Sequence, residues 1–197
     1  MNRKIIGAAF ALATLASTTA FAGPQGYVTV GVGASKVDID CAGTSSCDDT
    51  GTAAKIVGGW EFAKDFSAEV SYNYLGQMKA GFTNDPIVGT GDIKLKASYI
   101  GLGVAWRPEF GSNFGGLVRV GAAFVNAKAD VSSSLGGGSE SHSSTHPYIG
   151  LGLTYAIDKN FGLELTWDRT DVSLDDGAGG DSSSTTDTFS LGATYHF

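Results

Sequence analysis

Few residues in this chain could carry chemistry, and most of them are charged. Lys55, Glu61, Glu69, Arg119, Glu164 and Asp168 sit singly among glycine, serine, threonine and alanine. Isolated charges in such surroundings must pair with one another or remain wet. His142 and His146 have a spacing seen in zinc sites, but no cysteine or further histidine stands beside them. Cys41 and Cys47 are the two cysteines of the whole chain. Lys94 and Lys96 are spaced to share one face of a strand. No cofactor motif is present, and no metal site is expected.

The N-terminus states the compartment. Arg3 and Lys4 precede an apolar run, Ile5 to Ala20, and Ala20-Phe21-Ala22 has the A-x-A form of a cleavage site. This is read as a secretory signal peptide over residues 1–22, leaving one domain over residues 23–197. Outside the cytoplasm, Cys41 and Cys47 are expected to form a disulfide. It would close a small loop and stabilise by at most ~2–3 kcal/mol.

The full chain has 197 residues, a net charge of −7, 42% hydrophobic residues and 29 glycines. Taking Arg3 and Lys4 from the 13 basic residues leaves 11 against 20 acidic ones, a net −9. That sign excludes a nucleic-acid partner bound through phosphates. No segment after the signal is apolar enough for a transmembrane helix.

The elements that must hold the charges alternate with period two. Phe66, Ala68, Val70, Tyr72 and Tyr74 share one face, and Ser67, Glu69, Ser71 and Asn73 the other. The same pattern recurs in Tyr27–Val37, Thr52–Phe62, Ile93–Arg107, Phe114–Lys128, Tyr148–Ile157, Phe161–Asp168 and Thr188–Phe197. Period two means a strand with two unlike faces, and eight such strands are predicted. Their connections alternate between short (Ala63–Asp65, Arg107–Asn113, Asp158–Asn160) and long polar ones (Asp38–Gly51, Gly81–Asp92, Asp130–His146, Thr170–Ser184). Strands of about ten residues with such connections describe an up-and-down transmembrane barrel.

Aromatic residues support a membrane over a water-soluble barrel. Trp60, Phe62, Phe66, Trp106, Phe114, Tyr155, Phe161 and Phe197 lie beside the short turns. Tyr74, Phe124 and Phe189 lie near the other ends of their strands. Two belts bounding an apolar band are interfacial girdles. The small, polar face then lines a narrow lumen. The expected fold is all-β, an eight-stranded antiparallel up-and-down transmembrane barrel. The inward charges are expected to plug it as a salt-bridge network. The sharper alternative is a gate, in which Arg119 exchanges between Glu69 and Glu164 and passes small ions. Lys94 and Lys96 fall near the upper interface, where they read first as ordinary solvated strand-end lysines; contact with lipopolysaccharide phosphates is the sharper alternative. His196 faces the lumen. Acidic loop residues near Asp175-Asp176-Gly177 lack a full calcium-binding loop.

The order of these segments resembles the eight-stranded OmpA-type outer membrane beta-barrel family. Gly26–Gly33, Ile56–Phe62, Ala68–Gly76 and Pro147–Tyr155 look like its first, second, third and sixth strands. Ser190, Gly192, Tyr195 and the terminal Phe197 match its C-terminal assembly signal. The resemblance implies a monomer in the Gram-negative outer membrane, handled by the outer-membrane assembly machinery and surrounded by lipid and lipopolysaccharide. It implies periplasmic termini and extracellular long loops. No peptidoglycan-binding domain is expected after Phe197. The role it implies is structural and surface-exposed, with weak pore activity; an adhesin acting through the loops is the alternative. Some small barrels are lipid A-modifying enzymes with His-x-Ser on a strand. Here His142-Ser143-Ser144 is read as part of a serine-rich loop, so an enzyme is not expected.

Overall fold

A computed structural model describes residues 26–38, 46–85, 89–133, 136–175 and 181–197. The signal peptide, Cys41 and Asp176-Gly177 lie outside these residues, so the proposed cleavage, disulfide and calcium loop do too. The strands are β1 (Gly26–Val37), β2 (Ser46–Asp48), β3 (Thr50–Ala63), β4 (Phe66–Asp85), β5 (Gly89–Trp106), β6 (Phe114–Ser133), β7 (Gly136–Ala156), β8 (Phe161–Asp175) and β9 (Asp181–His196).

Every pairing is antiparallel, and each barrel strand pairs with its sequence neighbour. Pairing of β1 with β9 brings the two ends of the chain together and leaves eight strands in a closed barrel. Closure satisfies the backbone of every strand and leaves no edge, as a spanning sheet requires. The three-residue β2 is an extra piece, paired with β4 beyond the closed part.

The alternation read from sequence gives the two faces. Val28, Ile56, Val70, Leu102, Val120, Leu151, Leu165 and Leu191 all point outward and are exposed. Phe161 meets Tyr195, and Phe114 meets Tyr155, each with ring centroids 4.9 Å apart. Both pairs sit across from one another at the short-turn end. Between them the turn is fastened locally: the Asp158 carboxylate accepts the backbone N–H groups of Asn160 and Phe161. Those two donors hold its pKa below the usual carboxylate range.

The inner face is filled, and glycines make the room. A Cβ on Gly59 would overlap the ring of Tyr27, and one on Gly150 would overlap the Arg119 stem. Gly59→Val should therefore lower stability by about 1–3 kcal/mol. The urea midpoint of the folded barrel checks this, and Tyr27→Ala in the same chain should recover part of the loss.

Three sequence expectations change. First, the described parts of the long connections are largely strand: β6 and β7 remain paired from Phe114↔Tyr155 to Ser133↔Gly136. Polar residues with period two satisfy a ladder as well as apolar ones, and low complexity concealed it. Second, His142-Ser143-Ser144 therefore lies on β7 and not in a loop. Third, the half of the lumen toward the long-strand end is apolar, lined by Leu75, Tyr99, Val125, Tyr148 and Val172, with Val37, Met78 and Leu95 beyond. A bulge in β4 between Tyr74 and Gln77 helps produce this. Gly76 there takes φ of 86°, a left-handed conformation that glycine adopts without a Cβ penalty. The bulge shifts the alternation by one residue: Leu75 keeps the inward parity of Glu69, Ser71 and Asn73, and Met78 beyond the bulge is brought inward as well.

Candidate functional site

The half of the lumen toward the short turns holds a buried ionic cluster. β3 supplies Lys55, β4 Glu69, β6 Arg119, and β8 Glu164 and Asp168. Each is an inward position of its strand, and each is less than a tenth exposed. Arg119 reaches all three acids at once: Glu69 at 3.1 Å, Glu164 at 3.0 Å and Asp168 at 3.3 Å. Lys55 lies 3.1 Å from Asp168 and 3.7 Å from Glu164, and its ammonium also donates to the Thr166 hydroxyl.

A third cation completes the cluster. Arg107 Nη2 donates to Glu69 (3.2 Å) and Glu164 (3.0 Å), and its Nε donates to the Tyr27 hydroxyl (3.0 Å). Its guanidinium also lies 4.2 Å from the centre of the Tyr27 ring, a cation–π contact. The sequence reading left Arg107 out of the inward set because it assigned the residue to a turn. The signal was available: Trp106 points out, so the next residue points in. The local fold holds Arg107 there. Its backbone N–H donates to Asp65 O (2.7 Å), and the segment after it folds back so that Gly116 N donates to Pro108 O (2.8 Å).

With Arg107 included, three cations (Lys55, Arg107, Arg119) face three anions (Glu69, Glu164, Asp168). Charge is balanced within the cluster. Hydroxyls extend it sideways: Tyr27 to Ser67 (2.8 Å), Thr166 to Ser190 (2.8 Å) and Thr29 to Thr194 (2.8 Å). Buried ions are tolerable only when their remaining donors and acceptors are met in this way.

Glu61 is not brought into the cluster. It is part-exposed beside the irregularity that ends the β3–β4 ladder. Its carboxylate lies 4.0 Å from His196 Nδ1. Both line an open vestibule of about 720 Å³ at the short-turn end, with Arg107 at its inner limit. Lys94 and Lys96 point outward on β5 above the apolar band; Lys94 pairs with Asp92 at 3.1 Å. His142 and His146 are four residues apart on a strand, about 13 Å of rise, too far to share one ion. His146 Nε2 lies 3.0 Å from Ser144 Oγ. Among the described residues, no group of three or more His, Cys, Asp or Glu side chains is placed to hold a metal.

At the C-terminus, Ser190, Gly192 and Tyr195 lie on β9. Phe197 donates its backbone N–H to Gly26 O (3.0 Å) and stacks beside Tyr195 at 6.5 Å. The last residue of the chain thus helps close the barrel seam.

Comparisons with known proteins agree with this architecture. The family described as outer membrane protein beta-barrel domain matches residues 8–197. No curated protein sequence matches the chain. Among solved structures, Ail, the attachment invasion locus protein of Yersinia pestis, is 24% identical. That match covers 89% of this chain and 99% of the other, with a TM-score of 0.55. Neisserial surface protein A is 17% identical, over 87% and 97% of the two chains, with a TM-score of 0.60. OprG of Pseudomonas aeruginosa is 16% identical, over 89% and 97%, with a TM-score of 0.55. At these identities the likeness is one of fold. On the family match, the closed antiparallel barrel and its outward apolar face, the chain belongs to the outer membrane protein beta-barrel domain family of the Gram-negative outer membrane.

Proposed function

We propose that this protein is a structural, surface-exposed barrel whose lumen is sealed. The charge-balanced cluster of Lys55, Arg107, Arg119, Glu69, Glu164 and Asp168 carries this reading. It fills the inner half of the lumen, and the apolar cluster around Tyr99 and Tyr148 fills the outer half. A hydrated ion path would need one of these layers to open. Arg119 contacts three carboxylates at once, so its exchange between two of them gains nothing. Both termini face the periplasm in this reading, and the long-strand end faces outward. Ser190, Gly192, Tyr195 and Phe197 serve as the signal for the assembly machinery, and the barrel acts as a monomer with no enzymatic role.

Planar-bilayer recording tests the seal. The wild-type protein should show no steady conductance, and Arg119→Ala together with Tyr148→Ala should introduce it. Steady wild-type conductance would overturn the sealed reading. Attachment through the outer end is the second reading, and it has its own support. Strands β4 to β7 run 18–21 residues, well past the ten or so that cross the hydrocarbon. The Yersinia relative is named for attachment. Shortening the β6–β7 ladder beyond Asn126 and Ser143 should then abolish binding of cells to an otherwise folded barrel.

A further inference from the structure

The vestibule at the short-turn end takes no part in sealing the lumen. Its volume is about 720 Å³, within the range of small-ligand pockets. Groups that the ionic cluster leaves over converge on it. The first is Arg107. Its Nε and Nη2 are committed to Tyr27, Glu69 and Glu164, and its Nη1 has no protein partner among the described residues. Arg107 lines the vestibule with its side chain 12% exposed, so Nη1 is the donor it presents there. The second is Glu61. Among the described residues its carboxylate makes no ion pair with a lysine or arginine, and it lies 4.0 Å from His196 Nδ1. The third is the Thr154 hydroxyl, on an inward position between the outward Leu153 and Tyr155. The rings of Tyr27 and His196, 5.5 Å apart, form the wall between Arg107 and Glu61.

The charges select what can enter. Glu61, Asp65, Glu109 and Asp158 stand around the space with Lys64 and Lys159. Four carboxylates against two ammoniums leave a net −2, because Arg107 is already balanced by the cluster above it. A small anion is therefore repelled despite Arg107. A simple cation is met by Glu61 but leaves Nη1 without an acceptor. A ligand with an ammonium at one end and a carboxylate at the other satisfies both. Spacing sets its length. Glu61 is opposite Ser67 on β4, and Ser67 is opposite Ala105 on β5, two residues before Arg107. Two strand spacings, about 10 Å, separate β3 from β5. A peptide of two or three residues spans about 7–10 Å.

We infer that the vestibule is a binding site for a short zwitterionic peptide. Glu61 accepts from the peptide's ammonium, and Arg107 Nη1 donates to its carboxylate. The Thr154 hydroxyl bonds to a peptide group between the two ends. The ionic cluster above Arg107 stops the peptide, so it is held and not passed through. Opening of the vestibule toward the periplasm rests on the orientation proposed above; binding itself does not.

The test uses the whole barrel in phosphatidylcholine nanodiscs and three probes. These are triglycine, N-acetyltriglycine, which lacks the ammonium, and triglycine amide, which lacks the carboxylate. Ligand-observed NMR titration gives each Kd. Triglycine should bind with a Kd of about 1 mM, as expected for a ligand of about 13 non-hydrogen atoms at ordinary efficiency. Each blocked probe should bind about tenfold more weakly, the effect of losing one charge-assisted hydrogen bond. Glu61→Gln should weaken triglycine by a similar factor, so that it binds no better than N-acetyltriglycine. Glu61 stands outside the ionic cluster, and heat-modifiable gel mobility shows that the variant is folded. The Arg107 contact is read through the amide probe, which leaves the cluster intact. Glu140→Gln, at the far end of β7, should leave every Kd unchanged. Equal Kd values for the three probes, or an unchanged triglycine Kd in Glu61→Gln, would overturn the site. Weakening by acetylation but not by amidation would reduce it to an ammonium site and overturn the zwitterion assignment. Conductance plays no part in this readout, so failure of the site and failure of the sealed lumen are separate results.

Discussion

Arg119→Ala should destabilise the folded barrel by about 3–5 kcal/mol, the range for breaking a buried ion pair from one side. The reason is the charge balance. Three carboxylates are shared among three cations, and Arg119 is the one that touches all three. Its loss leaves a net negative charge in a space with almost no exposed surface. The remaining cations cannot fill the gap, because Lys55 is committed to Asp168 and Thr166 on one side, and Arg107 to Tyr27 on the other. Reversible unfolding in urea should show the effect as a midpoint lowered by more than about 1 M. Adding Glu69→Gln to Arg119→Ala should return a large part of the loss, since it restores charge balance. Equal midpoints for Arg119→Ala and wild type would mean that the cluster is hydrated in solution.

Leu165→Arg should cost about 2–4 kcal/mol in a bilayer, the penalty for arginine at the midplane of a transmembrane barrel. Leu165 is cross-strand to Leu153 on β7 and Leu191 on β9. The three side chains are 54%, 61% and 57% exposed, so no protein atoms cover this patch. On a water-soluble protein, an exposed leucine replaced by arginine changes stability by no more than about 0.5 kcal/mol. The sign and size of the effect therefore separate the two environments. Ser141→Arg, on the projecting part of β7, is the control and should cost almost nothing. A cost for Ser141→Arg equal to that for Leu165→Arg would move the upper edge of the hydrocarbon layer well above Phe124.

The balance of these two layers also bears on how such a chain tolerates its own composition. The apolar residues are spent on the outside, where lipid replaces the protein core. The inside is held by ions, hydroxyls and, toward the long-strand end, a small apolar cluster. Glycine permits this filling. Gly59 leaves space for the Tyr27 ring, and Gly150 for the Arg119 stem. The glycine count that stands out in the composition thus belongs to the same feature as the buried charges.

Much of the barrel was legible in the residues alone. Alternation named the outward faces of all eight strands, from Val28-Val30-Val32 to Phe189-Leu191. It placed Lys55, Glu69, Arg119, Glu164 and Asp168 on the inner face. The bland segments were harder to read. Ser139 to Ser144 has no contrast between its two faces, so nothing in it distinguishes a ladder from a loop. Arg107 was missed at a strand end, where the alternation gives way to a turn containing Pro108.

What the sequence determined by itself was the face each side chain takes, because successive side chains along a strand point to opposite sides whatever surrounds them. Which side chains then meet was decided by the tertiary structure. Register between neighbours and closure of β1 on β9 set the height of every residue in the lumen and on the outer wall. Those heights bring Arg107 to Glu69 and Glu164 and leave Glu61 at the vestibule. They also set Lys96 against Lys128 and Lys94 against Lys79. The bulge at Gly76 reverses the inward set of β4 for the part beyond it, and so puts Met78 inside along with Leu75. Strand direction is a property of a few adjacent residues; register in a closed barrel is a property of all eight strands at once.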